Sequence, residues 1–169
     1  MARIIKNKAI VDDGWTVLQL AEGETAETVA LPAGDVIFPL PVWQARRAEI
    51  EARGQFGVWL DSCEGPEAIA DELGKFALIA VNFPKFTDGR GYSSARLLRE
   101  RYKYTGELRA IGDVLFDQLF FMHRCGFDAM ALRADKDIEK AVAQAFTTFS
   151  DAYQTAVDQN LPHYRRRAA

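Results

Sequence analysis

Apolar residues along the chain fall into short unbroken runs: Val36 to Leu40, Phe56 to Leu60, Phe76 to Val81, Leu108 to Val114 and Ala129 to Leu132. Runs of this length without alternation are what parallel strands covered on both faces require. Between them lie segments with helical spacing and helical stop signals. Pro41 suits the first turn of a helix over about 41–53 that Gly54 ends, and Pro66 that of a helix over about 66–73 that Gly74 ends. Ser93 or Ser94 caps a predicted helix reaching Tyr104, and Asp113 caps one running through Leu115, Phe116, Leu119, Phe120 and Met122 to Gly126. A last long helix, from about Asp137 to Val157, places Ile138, Val142, Phe146, Phe149, Tyr153 and Ala156 on one stripe.

Strand starts recur about 20, 20, 32 and 21 residues apart, which leaves room each time for a strand, a crossover helix and short loops. Right-handed crossovers then make the strands parallel. The expected fold is α/β: an open, doubly wound, mostly parallel sheet of about five strands with flanking helices, with half of a β/α barrel as the alternative. An N-terminal β-hairpin precedes it, in which Ile4, Ile5, Ile10 and Val11 lead through an Asp12-Asp13-Gly14 turn to Trp15, Val17, Leu18 and Leu20. The acidic, small-residue stretch that follows reads as a mobile surface loop. The whole is one domain, with hairpin and loop over 1–34, β-α repeats over 35–157 and a solvated basic tail over 158–169.

Composition narrows the class. A chain of 169 residues with 49% hydrophobic content and a net charge of -3 is too apolar and too weakly charged for disorder. No stretch approaches the roughly 20 apolar residues of a membrane-spanning helix, and no secretory signal pattern opens the chain, so the expected location is the cytoplasm, away from membranes. Cys63 and Cys125 are isolated and the histidines are only His123 and His163, which supplies poorly any disulfide framework, iron–sulfur site or zinc site. No metal site and no cofactor site is evident. With 21 basic against 24 acidic residues, the footprint of a nucleic-acid binder is missing.

Ligands of open parallel sheets bind beyond the carboxyl ends of the strands, which directs attention to Asp61, Ser62 and Cys63, to Asn82 and Lys85, to Asp113, and to Arg133 with Asp135. Asp113 and Asp61 are the candidate catalytic acid or base groups, and each reads equally well as a helix cap or a loop anchor. The loop from Asn82 to Ser94 is the densest signal. Its glycines allow close backbone approach, a helix starts at its end, and Lys85, Arg90 and Arg96 add positive charge. It therefore offers an oxyanion or phosphate site with Lys85, Asp88, Arg90, Tyr92, Ser93, Arg96 and Arg133 as ligand residues, although its spacing matches neither a P-loop nor a dinucleotide fingerprint. The bland reading is a glycine-hinged loop in which Asp88 pairs with an arginine. The helix that follows is basic through Arg96, Arg99, Arg101 and Lys103, either as a solvated face or as a dock for an acidic partner. In the apolar helix after it, Asp117, Gln118 and Arg124 need partners and are candidates for a polar network.

The run from Asn82 to Arg133, with its F-x-D-G-R-G-Y-S and G-D-V-x-x-D-Q-L segments, resembles the signature of a bacterial family, domain of unknown function 934. Members of that family are described as oxidoreductases linked to sulfite reduction, so the resemblance implies the assimilatory sulfate pathway. A sulfite reductase proper carries sirohaem and an iron–sulfur cluster, whose cysteine ligands this chain lacks. The role implied is therefore that of an accessory protein, touching sulfite reductase or its electron donor, with a small anion held at the 82–94 loop. The other readings are an enzyme acting on a small anionic substrate and a structural homodimer built on the apolar helix 114–125.

Overall fold

In the computed structural model, which describes residues 2–149 and 151–166, the apolar runs become strands of a single sheet. In chain order these are β1 (Ala2–Lys6), β2 (Ala9–Asp13), β3 (Thr16–Val17), β4 (Val36–Pro39), β5 (Gly57–Leu60), β6 (Leu78–Phe83), β7 (Glu107–Gly112) and β8 (Ala129–Met130). The helices are α1 (Leu40–Ala45), α2 (Arg47–Glu51), α3 (Arg90–Glu100), α4 (Leu119–Cys125), α5 (Ile138–Ala145) and α6 (His163–Arg166), with 3-10 turns over Pro66–Lys75 and Phe116–Gln118.

The strand order is β2-β1-β8-β7-β6-β5-β4-β3. From β3 to β8 every pair is parallel, and β1 joins antiparallel to β8 and to β2. This corrects the doubly wound expectation of about five strands: the sheet is larger and partly antiparallel. A doubly wound sheet needs a point where the order reverses. Here each crossover steps to the next neighbour in the same sense, so the half-barrel alternative fits. Val58 and Leu60, Ile79 and Val81, and Leu108 and Ala110 pack with α3, α4 and α5 in the main core. On the concave side Ile37, Leu78, Ala80 and Ile111 form a smaller core with Trp15, Val17 and Trp59.

Several local expectations shift for identifiable reasons. The hairpin turns at Asn7 and Lys8, both at positive φ (50° and 66°), as a primed two-residue turn requires, and not at Asp13-Gly14. The stretch after Val17 is pinned, because Arg46 donates to the carbonyl of Val29 (2.5 Å) and Arg53 to that of Pro32. The helix expected over 41–53 breaks at Arg46, whose φ of -125° is not helical. The one expected from Ser93 starts at Arg90 with Gly89 as N-cap, and Asp113 caps nothing: Phe116–Gln118 is a 3-10 turn before α4. Asp137 does cap α5, through the amide of Lys140 (2.9 Å), but the helix stops at Ala145. Thr147 and Thr148 turn their hydroxyls back onto the carbonyls of Ala143 and Gln144 (2.7 Å each), which β-branched hydroxyl residues do at the expense of helix. Beyond that point Arg166 and His163 close on Asp151 (2.6 and 2.5 Å), so the basic tail folds back as far as it is described.

Curvature of the sheet follows from covalent geometry. Eight flat strands would put β2 and β3 about 34 Å apart. Only Gly14 and Trp15 separate Asp13 from Thr16, so those two Cα atoms lie within about 11 Å. The sheet has to curl until its edges meet at that corner. Arg109 of β7, 2% exposed, secures the closure across the concave side: it donates to both carboxylate oxygens of Asp13 (3.0 and 2.9 Å) and to Glu107 (2.8 Å), which also takes Lys6 (2.6 Å). Arg109→Ala leaves Asp13 and Glu107 with little compensation, and the expected loss is about 3–5 kcal/mol of unfolding free energy, read from urea midpoints. A loss below about 1 kcal/mol would show that the closure does not depend on this side chain.

Candidate functional site

Alternation along the strands decides which side chains reach the C-terminal rim of the curled sheet. Trp59, Ala80, Ile111 and Ala131 face the concave side. Two residues further on, at the same parity, stand Asp61, Asn82, Asp113 and Arg133. Hydrogen bonds bring these residues together as two separate groups, Asp61 with Asn82 and Asp113 with Arg133 and Asp135.

Asp61 accepts the Asn82 side-chain amide (2.9 Å). Its backbone N–H donates to Glu64 (2.7 Å), whose carboxyl is pushed up by burial, against the lowering effect of that hydrogen bond. Gly112 makes the join between β6 and β7: at φ 93° a Cβ would lie 2.5 Å from the Asn82 Oδ1 and overlap the Phe83 carbonyl. Only glycine takes this conformation without strain. Asp113 follows, its N–H donating to the Phe83 carbonyl (2.7 Å). One of its oxygens accepts the Phe86 N–H (2.9 Å) and the other accepts Arg133 (2.8 Å). Arg133 also grips Asp135 (2.6 Å), and that contact with the help of Lys136 holds the Asp135 carboxyl well below the usual carboxylate range. Asp113 is therefore a loop anchor.

The 82–94 loop is neutralised from within. Asp88 accepts Arg90 through its Nε (3.0 Å), Nη2 (2.7 Å) and backbone N–H (3.2 Å), and Arg90 holds Asp88 far below the ordinary carboxylate range. The carboxylate thus occupies the N-terminus of α3, where an external anion would sit. Arg90 also donates to the Ser62 hydroxyl (2.9 Å). Arg96 pairs with Glu100 (2.9 Å), Ser93 and Lys85 are exposed, and Tyr92 is half-buried between Phe83 and Phe121, with ring centroids 5.1 and 5.0 Å away. Arg99 belongs to the scaffold, donating to the carbonyls of Gly126 (2.9 Å), Tyr104 (2.7 Å) and Gly106 (2.8 Å) and to Asp128 (2.9 Å).

A family model described as "Bacterial protein of unknown function (DUF934)" matches residues 57–164, more than half of the chain. The chain belongs to the DUF934 family. No curated protein and no solved structure matches it. The DUF934 segment begins at β5 and so contains the strand-end residues from Asp61 to Asp135, together with the 82–94 loop. The hairpin and β4 precede it.

Within the DUF934 segment the expected network of Asp117, Gln118 and Arg124 is not assembled. Gln118 accepts the Leu115 N–H (2.9 Å) and donates to the Phe86 carbonyl (3.3 Å), Arg124 is bound to the Gln154 carbonyl (2.5 Å), and Asp117 is exposed. Seven residues apart on a regular helix the two charges share a face, but the 3-10 turn before α4 breaks that register. Glu64 is the rim residue that sequence reasoning missed, because it lies on no strand and reaches Asp61 only through the turn. Among the described residues no three metal-ligating side chains cluster.

Two outcomes test this geometry. Asp113→Ala frees the Phe86 amide, and trypsin cleavage after Lys85 should speed up about tenfold, as expected for loss of one charge-assisted hydrogen bond. Cys63 is exposed while burial pushes the Cys125 thiol up to about 11, so native protein at pH 8 should react with one equivalent of a thiol reagent and release the second only on unfolding.

Proposed function

We propose that the protein is a cytoplasmic accessory factor of assimilatory sulfite reduction, acting by contact with sulfite reductase or its electron donor. The pathway rests on the family resemblance of the 82–133 segment. The mode of action rests on one observation: large aromatic side chains of that segment lie on the surface, with Phe86 43%, Phe116 49% and Phe121 54% exposed. Gln118 donates to the Phe86 carbonyl, Tyr92 packs edge-on against Phe121, and the basic residues Lys85 and Arg96 are close in sequence. Aromatic and arginine side chains are the groups that interfaces concentrate, and their cost in water is recovered when a partner covers them. The ion pairs disfavour a preformed oxyanion site at the same loop, since an anion would have to displace Asp88 from both Arg90 and the start of α3.

The test is growth of a deletion strain on sulfate, sulfite or sulfide as sole sulfur source. Failure on the first two with rescue by sulfide is expected, and complementation should succeed with wild type and fail with Phe121→Asp. That substitution removes a half-exposed ring packed on Tyr92 and should cost about 1 kcal/mol, too little to unfold the protein. Normal growth on all three sources removes the pathway. If purified protein is a dimer that Phe121→Asp separates, the patch belongs to a second copy and the contact with a reductase falls.

A further inference from the structure

The rim carries a second feature, separate from the aromatic patch and from the 82–94 loop. A cleft of about 250 Å³ opens between the C-terminal ends of β4 and β5, walled by Gln19 and Leu20, by Pro39 and Pro41, and by Trp59, Asp61 and Glu64. Strand alternation puts Trp59 and Asp61 on the same side of β5, and the turn over residues 61–64 brings Glu64 to the same place through the Asp61 N–H.

We propose that this cleft binds a small organic cation, an alkylammonium group with an apolar body. Among the described residues its charge is of one sign: two carboxylates line it and no lysine or arginine does. The guanidinium of Arg90, which reaches the neighbouring Ser62 hydroxyl, is engaged by Asp88 through Nε and Nη2. Both carboxylates keep capacity to accept. Asp61 uses one oxygen for Asn82, its other oxygen faces the Cys63 thiol at 3.9 Å, and Glu64 uses one oxygen for the Asp61 amide. An anion is repelled by this arrangement, and a neutral solute leaves it unused.

The remaining walls select for what surrounds the charge. Trp59 is held in place by its Nε1–H, which donates to the Leu18 carbonyl (2.9 Å), so the indole is ordered before any ligand arrives. A fixed indole next to carboxylates is the combination that takes alkylammonium groups, by cation–π attraction on one side and charge on the other. Pro39 and Pro41 are rigid and Leu20 is apolar, which suits methyl or methylene groups. The volume is below that of ordinary drug-sized pockets, so the ligand is small. Position agrees as well, since the C-terminal ends of parallel strands are where barrel-like folds carry their ligands.

Choline and its neutral isostere 3,3-dimethylbutan-1-ol, with n-butylammonium as a second cation, are the probes for the full-length protein, followed by NMR at the indole N–H resonance that Trp59→Phe assigns. Saturable shifts are expected with both cations, and affinity should fall about tenfold for the alcohol, as loss of the cation–π and charge contributions predicts. Glu64→Gln and Asp61→Asn, which keep shape and remove charge, should each weaken choline severalfold while leaving the urea midpoint close to wild type. Equal affinity for choline and the alcohol, no saturable shift with either cation, or unchanged choline affinity in both charge-removing variants would overturn the proposal. None of these readouts depends on the sulfur source used for growth, so this proposal and the proposed function fail separately.

Discussion

Arg109 stands where the curled sheet closes. Side chains on a flat sheet would not meet across the three strand spacings, about 14 Å, that separate β7 from β2. Arg109 nevertheless contacts both oxygens of Asp13, because Gly14-Trp15 forces the sheet's two edges to one corner and turns β2 toward β7. Its burial next to Glu107 means that the interior of the curl accepts a guanidinium only with both carboxylates in place. The rest of the concave face is filled by Trp59, Ile37, Leu78, Ala80 and Ile111, and the same curl gathers the strand ends into a rim.

At that rim, acceptors and donors are largely matched to one another. Asn82 serves Asp61, Arg133 serves Asp113 and Asp135, and Arg90 serves Asp88. Such pairing fixes the loop after β6 and leaves little free positive charge in it. Among the described residues the corner between β4 and β5 differs, since two carboxylates and an indole meet there with no lysine or arginine in the lining. Charge balance thus separates a structural stretch of the rim from a stretch still able to recognise something.

The outer surface follows a different logic. α3 and α4 bury Leu98, Ala95, Leu119 and Met122 against the sheet, and Arg99 ties α3 to the loops that lead into β7 and β8. Once those faces are used, Phe86, Phe116 and Phe121 are left outside. Hydrophobic residues scattered singly on a surface are ordinary, but these three phenylalanines, all between Asn82 and Arg133, are left uncovered by the fold's own packing.

From the amino-acid sequence alone came the α/β class, the parallel strands β4 to β8 to within a few residues, and the family, because apolar runs and the Phe86–Ser93 and Gly112–Leu119 motifs are local properties of the chain; β3, parallel to β4, reads in the sequence as an arm of the hairpin. The polar residues just beyond the strands were also legible, since strand ends can be read from where an apolar run stops. Strand order was not, because each strand-helix unit looks the same whichever neighbour it joins. That choice is made by the handedness of successive crossovers and by the short Gly14-Trp15 link, which acts between residues far apart in the sheet. The hairpin was misplaced because Asp13-Gly14 has the stronger turn composition, whereas β1 and β2 pair in register only about Asn7-Lys8. Glu64 beside Trp59, Asp88 across the start of α3, and Arg109 between Asp13 and Glu107 are contacts through space, and tertiary structure alone decided them.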